Sequence, residues 1–141
     1  MRVLSLRQPW ASLVVFYGKR IENRKWNTHH RGPFLIHAAK QMEPGEFEAA
    51  YKFALAAGAA LPSRVELLES LRFGGIVGHA TLVDVLRPNP VDRADWYPPG
   101  VDGRWHLRDQ FAFLLDNVTP LPFQACRGMP GFFEAPAGVW P

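Results

Sequence analysis

Cysteine is almost missing from this chain: Cys126 is the only one among 141 residues. An internal disulfide is therefore excluded, and so is a thiolate metal cluster held within one chain. No apolar run approaches the roughly 20 residues of a membrane span, and Arg2 and Arg7 interrupt the one N-terminal candidate. With no secretory leader pattern either, the expected location is cytoplasmic, without a membrane partner. Glycine-rich phosphate loops, HExxH, GxSxG and paired CxxC motifs are all absent. His29, His30 and His37 could suggest a metal. Adjacent loop side chains seldom converge on one ion, however, and no acidic ligand lies nearby, so neither a metal nor a cofactor is expected.

Acidic residues are scarce at one end of the chain. Residues 1–40 hold eight Lys or Arg side chains against one acid, Glu22. The net charge of +3 thus divides into +7 for that segment and −4 for the rest. Such asymmetry creates a local attractor for phosphate. The cations are interleaved with Trp10, Trp26, His29 and His30. Flat rings beside cations suit stacking on bases while the charges meet phosphates. An ordinary solvated face is the competing reading.

The rest is an ordinary globule, 48% apolar and 21% charged, of a size that fits a single domain over 1–141. Residues 3–6 read as a short strand. Pro9 then opens a helix in which Trp10, Leu13, Val14 and Tyr17 recur at helical spacing up to Gly18. Strands follow at 21–24 and 33–38. Two helices occupy the middle, the first with Phe47, Ala50, Tyr51, Ala54 and Leu55 on its inner face. The second turns Val65, Leu67, Leu68 and Leu71 inward. A long strand is expected over 76–86, and a loop rich in Pro and Gly over 87–104, of the kind that forms lids or binding loops. Another strand covers 111–115, Pro120 and Pro122 break the chain, and a last strand covers 131–134. About six mostly antiparallel strands with segregated helices give an α+β fold, or a small barrel with helices on one side.

Three blocks stand out. They are Leu4-Ser5-Leu6-Arg7-Gln8-Pro9-Trp10-Ala11, then Gly18-Lys19-Arg20-Ile21-Glu22-Asn23-Arg24-Lys25-Trp26, then Arg31-Gly32-Pro33-Phe34-Leu35-Ile36-His37-Ala38. In them the sequence closely resembles the ASCH (activating signal cointegrator homology) family, whose members read SLRQPWA, K-x-I/V-E-x-R-x-W and RGPLLIHA in this order. Residues 78–84 and 128–133 resemble the later strands of the family; 41–73 and 87–110 match no motif. The resemblance implies a PUA-like β-barrel with a cleft between barrel and first helix, and RNA or a modified nucleoside as partner. Some small bacterial members resemble amidohydrolases that remove an acyl group from the exocyclic amine of cytidine. Their Lys corresponds to Lys19, but Glu22 occupies the place of their Thr, a departure from that pattern. Their distant Glu has no secure counterpart; Asp92 and Asp95 lie in the corresponding region.

The residues themselves support two functions. Amide hydrolysis needs an activated nucleophile, a donor for the oxyanion and an acid for the leaving amine. Glu22 could activate water or hold Lys19, while Lys19 polarises the acyl carbonyl or delivers a proton to the amine. On this reading Lys19 and Glu22 are catalytic, and N4-acylated cytidine is the substrate. The alternative is an RNA-binding module, or a ribonuclease, holding a base in the same cleft. A structural ion pair between helix and strand would explain Lys19 and Glu22 as well. Binding candidates are Ser5, Gln8, Trp10, Arg24, Trp26 and Arg31. Structural alternatives stand beside most of them: Trp10 as core, Ser5 or Gln8 as a helix cap, Arg24 as a support for Glu22, Arg31 as part of a turn. His37 reads more readily as a satisfied core histidine.

Overall fold

The computed structural model describes residues 1–89, 91 and 93–140. Six strands form one curled sheet in the order β2-β5-β4-β3-β1-β6. These are β1 (Arg2–Leu6), β2 (Ile21–Arg24), β3 (Gly32–Ala38), β4 (Gly75–Leu86), β5 (Phe111–Ala125) and β6 (Phe132–Glu134). Only β1 and β3 run parallel; every other pairing is antiparallel. Helices α1 (Trp10–Phe16), α2 (Glu46–Ala56) and α3 (Arg64–Ser70) complete the expected α+β fold, whose sheet curls into a half-barrel. None of the described helices is long and apolar enough to cross a membrane.

Strand alternation fills the concave side. Leu4 and Leu6 point there from β1, Phe34 and Ile36 from β3, and Phe113 and Leu115 from β5, all fully or nearly buried. Helix α1 presses Ala11, Val14 and Val15 into this core. Residues of the opposite parity, Val3 and Leu35, pack on the other face with Ile76 and Phe133. Aromatic contacts close the curl. The Phe132 ring, at one sheet edge, lies 6.2 Å from Trp26 beside the other edge and stacks on Phe113 at 6.5 Å. A second core joins Leu13 of α1 and Ile21 of β2 to Ala50 and Ala54 of α2, with the buried Trp105 against them.

Two sequence expectations are corrected. Pro120 and Pro122 do not break the chain; both lie within β5, which continues to Ala125. β2 pairs only with residues 111–114 of β5, so the distal part of β5 has one partner strand. The β4–β5 register also shifts between Gly78↔Pro120 and Ile76↔Gln124. Sheet edges and bulges are the places where a missing N–H is tolerated. Local sequence cannot reveal either condition. The buried helix faces are also narrower than expected. Leu67 of α3 and Leu71 just after it are buried whereas Val65 and Leu68 are 64% and 48% exposed, and on α2 Leu55 is exposed as well. A seven-residue helix lying on Tyr51 buries only Leu67 from its own length, and Leu71 joins that cluster from the extended residue that follows.

Between β4 and β5 the described residues hold two 3-10 turns, Ala94–Trp96 and Gly103–Trp105. A Cβ on Gly75, at the start of β4, would sit 2.5 Å from the Gln124 carbonyl oxygen and 2.5 Å from the Phe123 ring. Gly75→Ala is therefore expected to lower unfolding stability by about 1–3 kcal/mol, measured by chemical denaturation. An unchanged midpoint would contradict this close packing of β4 on β5.

Candidate functional site

The site begins where α1 hands the chain to β2. Pro9 cannot cap α1 with a side chain, and Gln8 does so instead: Ser12 N–H donates to Gln8 Oε1 at 3.0 Å. Gln8 Nε2 donates in turn to the Arg72 carbonyl at 2.9 Å. After the helix, Gly18 adopts φ +81°, a left-handed turn that aims Lys19 back under the helix. Lys19 is 1% exposed. Its ammonium donates to the Ile21 carbonyl and lies 3.4 Å from Glu22 Oε1.

Glu22 stands between two cations. Its second oxygen accepts from Arg24 Nε at 2.9 Å, and Arg24 Nη2 donates to the Ser5 carbonyl at 2.7 Å. Glu22 and Arg24 share one face of β2 because side chains repeat every second residue. Trp10 covers the lysine, with Nζ 5.4 Å from the ring centroid, a cation–π approach. The indole N–H is held by Glu46 Oε2 at 2.9 Å, and both Glu46 oxygens accept from Arg7 Nε at 2.9 and 3.0 Å.

These side chains line a cleft of about 540 Å³. Lys19, Glu22 and Arg24 form its floor, Trp10 and Glu46 stand on one wall, and Trp26 on another. Arg7 and Lys25 sit at the exposed rim. Burial pushes the Lys19 ammonium below the ordinary lysine range. Glu22 opposes this through its charge and hydrogen bond, and Arg24 adds to it. Beside the cleft, Ser5 Oγ lies 2.8 Å from His37 Nδ1, and His37 Nε2 lies 2.7 Å from the Cys126 carbonyl. A carbonyl only accepts, so Nε2 carries the proton and Nδ1 accepts from the serine hydroxyl. Burial lowers the proton affinity of His37, against the pull of that carbonyl, which suits the neutral ring.

Of the residues singled out from sequence, the structure brings Ser5, Trp10, Lys19, Glu22, Arg24 and Trp26 together around this cleft. Gln8 and Arg31 are not among its lining. Gln8 serves backbone groups of α1 and of residue 72. Arg31 donates to the carbonyls of Thr28 and His30 and lies 3.5 Å from Asp84. Asp95 is exposed, pairs with Arg93 at 2.7 Å and lies outside the lining, while Asp92 lies outside the described residues. Sequence reasoning missed Arg7, Asn23, Lys25, Glu46, Leu107 and Gln110 as cleft residues. Asn23 explains two of them. Its amide bonds the Trp105 carbonyl at 3.0 Å and the Leu107 N–H at 2.9 Å, fastening the end of the long loop beside β2. Among the described residues no three His, Cys, Asp or Glu side chains form a metal-binding group.

Comparison with known proteins gives a match of residues 4–100 to the family model described as ASCH domain. Similar relatives include activating signal cointegrator 1 of Homo sapiens, 40% identical over 87 residues, and that of Mus musculus, 38% identical over 87 residues. Each alignment covers 59% of this chain and 14% of the relative, so the chain matches a small part of the length of those proteins.

The lowered proton affinity of Lys19 is directly measurable. A 15N-detected titration of Nζ should place it below a free lysine, and lower still in Glu22→Gln, which removes the group that pulls it back up. Between the folded value and that of a free lysine the unfolded chain holds a proton that the folded chain has released, so stability rises as pH rises through that window. A value at or above that of a free lysine would contradict the burial.

Proposed function

The chain belongs to the ASCH domain family, and from that premise we propose that it is a nucleic-acid-binding module taking one base of single-stranded RNA into the Lys19–Glu22 cleft. The observation that carries this reading is the buried Lys19–Glu22 pair on the floor of a 540 Å³ hollow with cations at its rim. That volume falls within the roughly 300–1,000 Å³ of small-molecule sites. Leaving two buried charges facing an open hollow is a poor device for stability alone, since apolar replacements of such pairs are often neutral or stabilising.

The polar floor also suggests which bases fit. A carboxylate offers about four acceptor positions, and Glu22 has two ionic neighbours, Lys19 and Arg24. An exocyclic amine can donate to what remains, as glutamate does with the N4 amine of cytosine. Bases bearing an amine should therefore be preferred over uracil. Trp10 and Trp26 supply the apolar walls, Trp10 fixed by Glu46 and Trp26 edge-on to Phe113. Lys25, exposed at the rim and without an ion-pair partner among the described residues, supplies a cation for the phosphate backbone.

A second reading, hydrolysis of N4-acylated cytidine, is favoured by one observation: Lys19 is buried with depressed proton affinity. In it, water attacks the acyl carbon, Lys19 delivers a proton to the amine as the C–N bond breaks, and one proton of the water returns to Lys19 as the free acid forms. Both Glu22 oxygens already face cations, which suits holding Lys19 better than abstracting a proton from water. Binding is therefore the primary proposal.

The test is fluorescence-detected binding of single-stranded oligocytidylate and oligouridylate over a range of salt. Affinity should fall with rising salt and favour cytidylate by about tenfold, the order of one good base contact. The double variant Lys19→Met, Glu22→Leu leaves no buried unpaired charge at either position. It should stay folded by circular dichroism and lose that preference. Equal affinity for both oligomers, or an unaffected double variant, would overturn the proposal. Release of cytidine from N4-acetylcytidine by the wild type, abolished by Lys19→Ala and by Glu22→Ala, would establish the second reading instead.

A further inference from the structure

Ser5 has a second exposure. Behind it lies another hollow, of about 770 Å³, lined by Ser5, His37, Lys40, Phe73, Arg127 and Met129 among others. No carboxylate lines it. Neither Lys40 nor Arg127 has an ion-pair partner among the described residues. By contrast Arg2, Arg7, Arg24, Arg31, Arg64, Arg93 and Arg104 each lie within 3.5 Å of a carboxylate oxygen. Most of the chain's arginines are thus neutralised internally, and this hollow keeps two cations facing solvent. An exposed aromatic ring stands with them: Phe73 is 38% exposed.

The wall between the two hollows is bonded on both of its sides. It consists of Ser5 at the end of β1, whose carbonyl is held by Arg24 on one side and whose hydroxyl bonds His37 on the other. His37 is fixed in turn by the Cys126 carbonyl. Gly128 lies directly against this wall; a Cβ there would stand 2.7 Å from His37 Cε1 and 3.2 Å from Ser5 Oγ. A residue without a side chain is what lets the 126–130 segment border the hollow so closely.

Resting on the base-binding reading above, we propose that this second hollow receives the nucleotide adjacent to the one in the Lys19–Glu22 cleft. Lys40 and Arg127 meet its phosphate, and Phe73 offers a face to its base. Unpaired cations beside an exposed ring are the combination by which single strands are held without base-specific contacts. The site thus reads one base at the first cleft and tolerates any base at the second.

The test separates this proposal from the reading it rests on. Binding of the four ribonucleosides and of the four corresponding homodinucleotides is measured by calorimetry on the whole chain. For the best-bound nucleoside, its dinucleotide should bind about tenfold tighter or more, the scale of one stacked base. Lys40→Gln with Arg127→Gln, and separately Phe73→Leu, should abolish that gain and leave nucleoside binding unchanged. The charge variant should also flatten the salt dependence of dinucleotide binding, by about 0.7 in slope for each phosphate it no longer neutralises. If a nucleoside binds but its dinucleotide gains nothing, or the gain survives these substitutions, the second hollow is not a nucleotide site and the first reading stands. If no nucleoside or dinucleotide binds, both fall together.

Discussion

The carboxylate of Glu22 between Lys19 and Arg24 is the interaction on which the architecture of the site depends. β2 and β1 are separated in the sheet by three other strands, yet Arg24 crosses the open side to the Ser5 carbonyl while bonded to Glu22. The ion triad therefore ties together two strands that share no ladder, at the mouth of the half-barrel. Burial of Lys19 makes the tie expensive to break: removing one partner of such a pair leaves an uncompensated charge, at a cost of about 3–5 kcal/mol. The same triad forms the cleft floor, so one set of charges both closes the mouth and presents polarity to a ligand.

Around that floor the walls are held by groups that do not themselves face a ligand. Glu46 accepts from both Trp10 and Arg7, so the first turn of α2 fixes the indole over Lys19 and restrains a rim cation together. Asn23 performs the corresponding task for the long loop, bonding backbone on both sides of His106. Tyr97 and the Gln110 carbonyl then hold His106 at 2.7 and 2.6 Å. A pocket whose walls are bonded before a ligand arrives loses little conformational entropy on binding.

Much of this was legible in the sequence wherever chemistry and spacing are short-range. Glu22, Arg24 and Trp26 alternate along one strand and its extension, and Lys19 leaves the Gly18 turn three residues before Glu22, so their convergence follows from local geometry. The motif blocks placed Ser5 and Trp10 in the same neighbourhood. Glu46 could not be read this way, because its contact with Trp10 spans 36 positions and depends on where α2 lands. Gln8 was open to two uses, and the orphan N–H groups of a helix starting after proline decide for the backbone. Pro120 and Pro122 misled for a related reason: whether a strand tolerates proline depends on its neighbours in the sheet, which adjacent residues do not encode.

The five tryptophans provide the most direct measurement of where a base goes. Their indole N–H resonances can be followed in a 15N–1H spectrum while single-stranded RNA is added. Trp10 and Trp26 line the Lys19–Glu22 cleft, whereas Trp96, Trp105 and Trp140 do not. The account predicts saturable shifts of the Trp10 and Trp26 signals, larger than any at Trp96 and Trp140. Shifts confined to Trp96 or Trp140, with Trp10 and Trp26 unmoved at saturation, would contradict it.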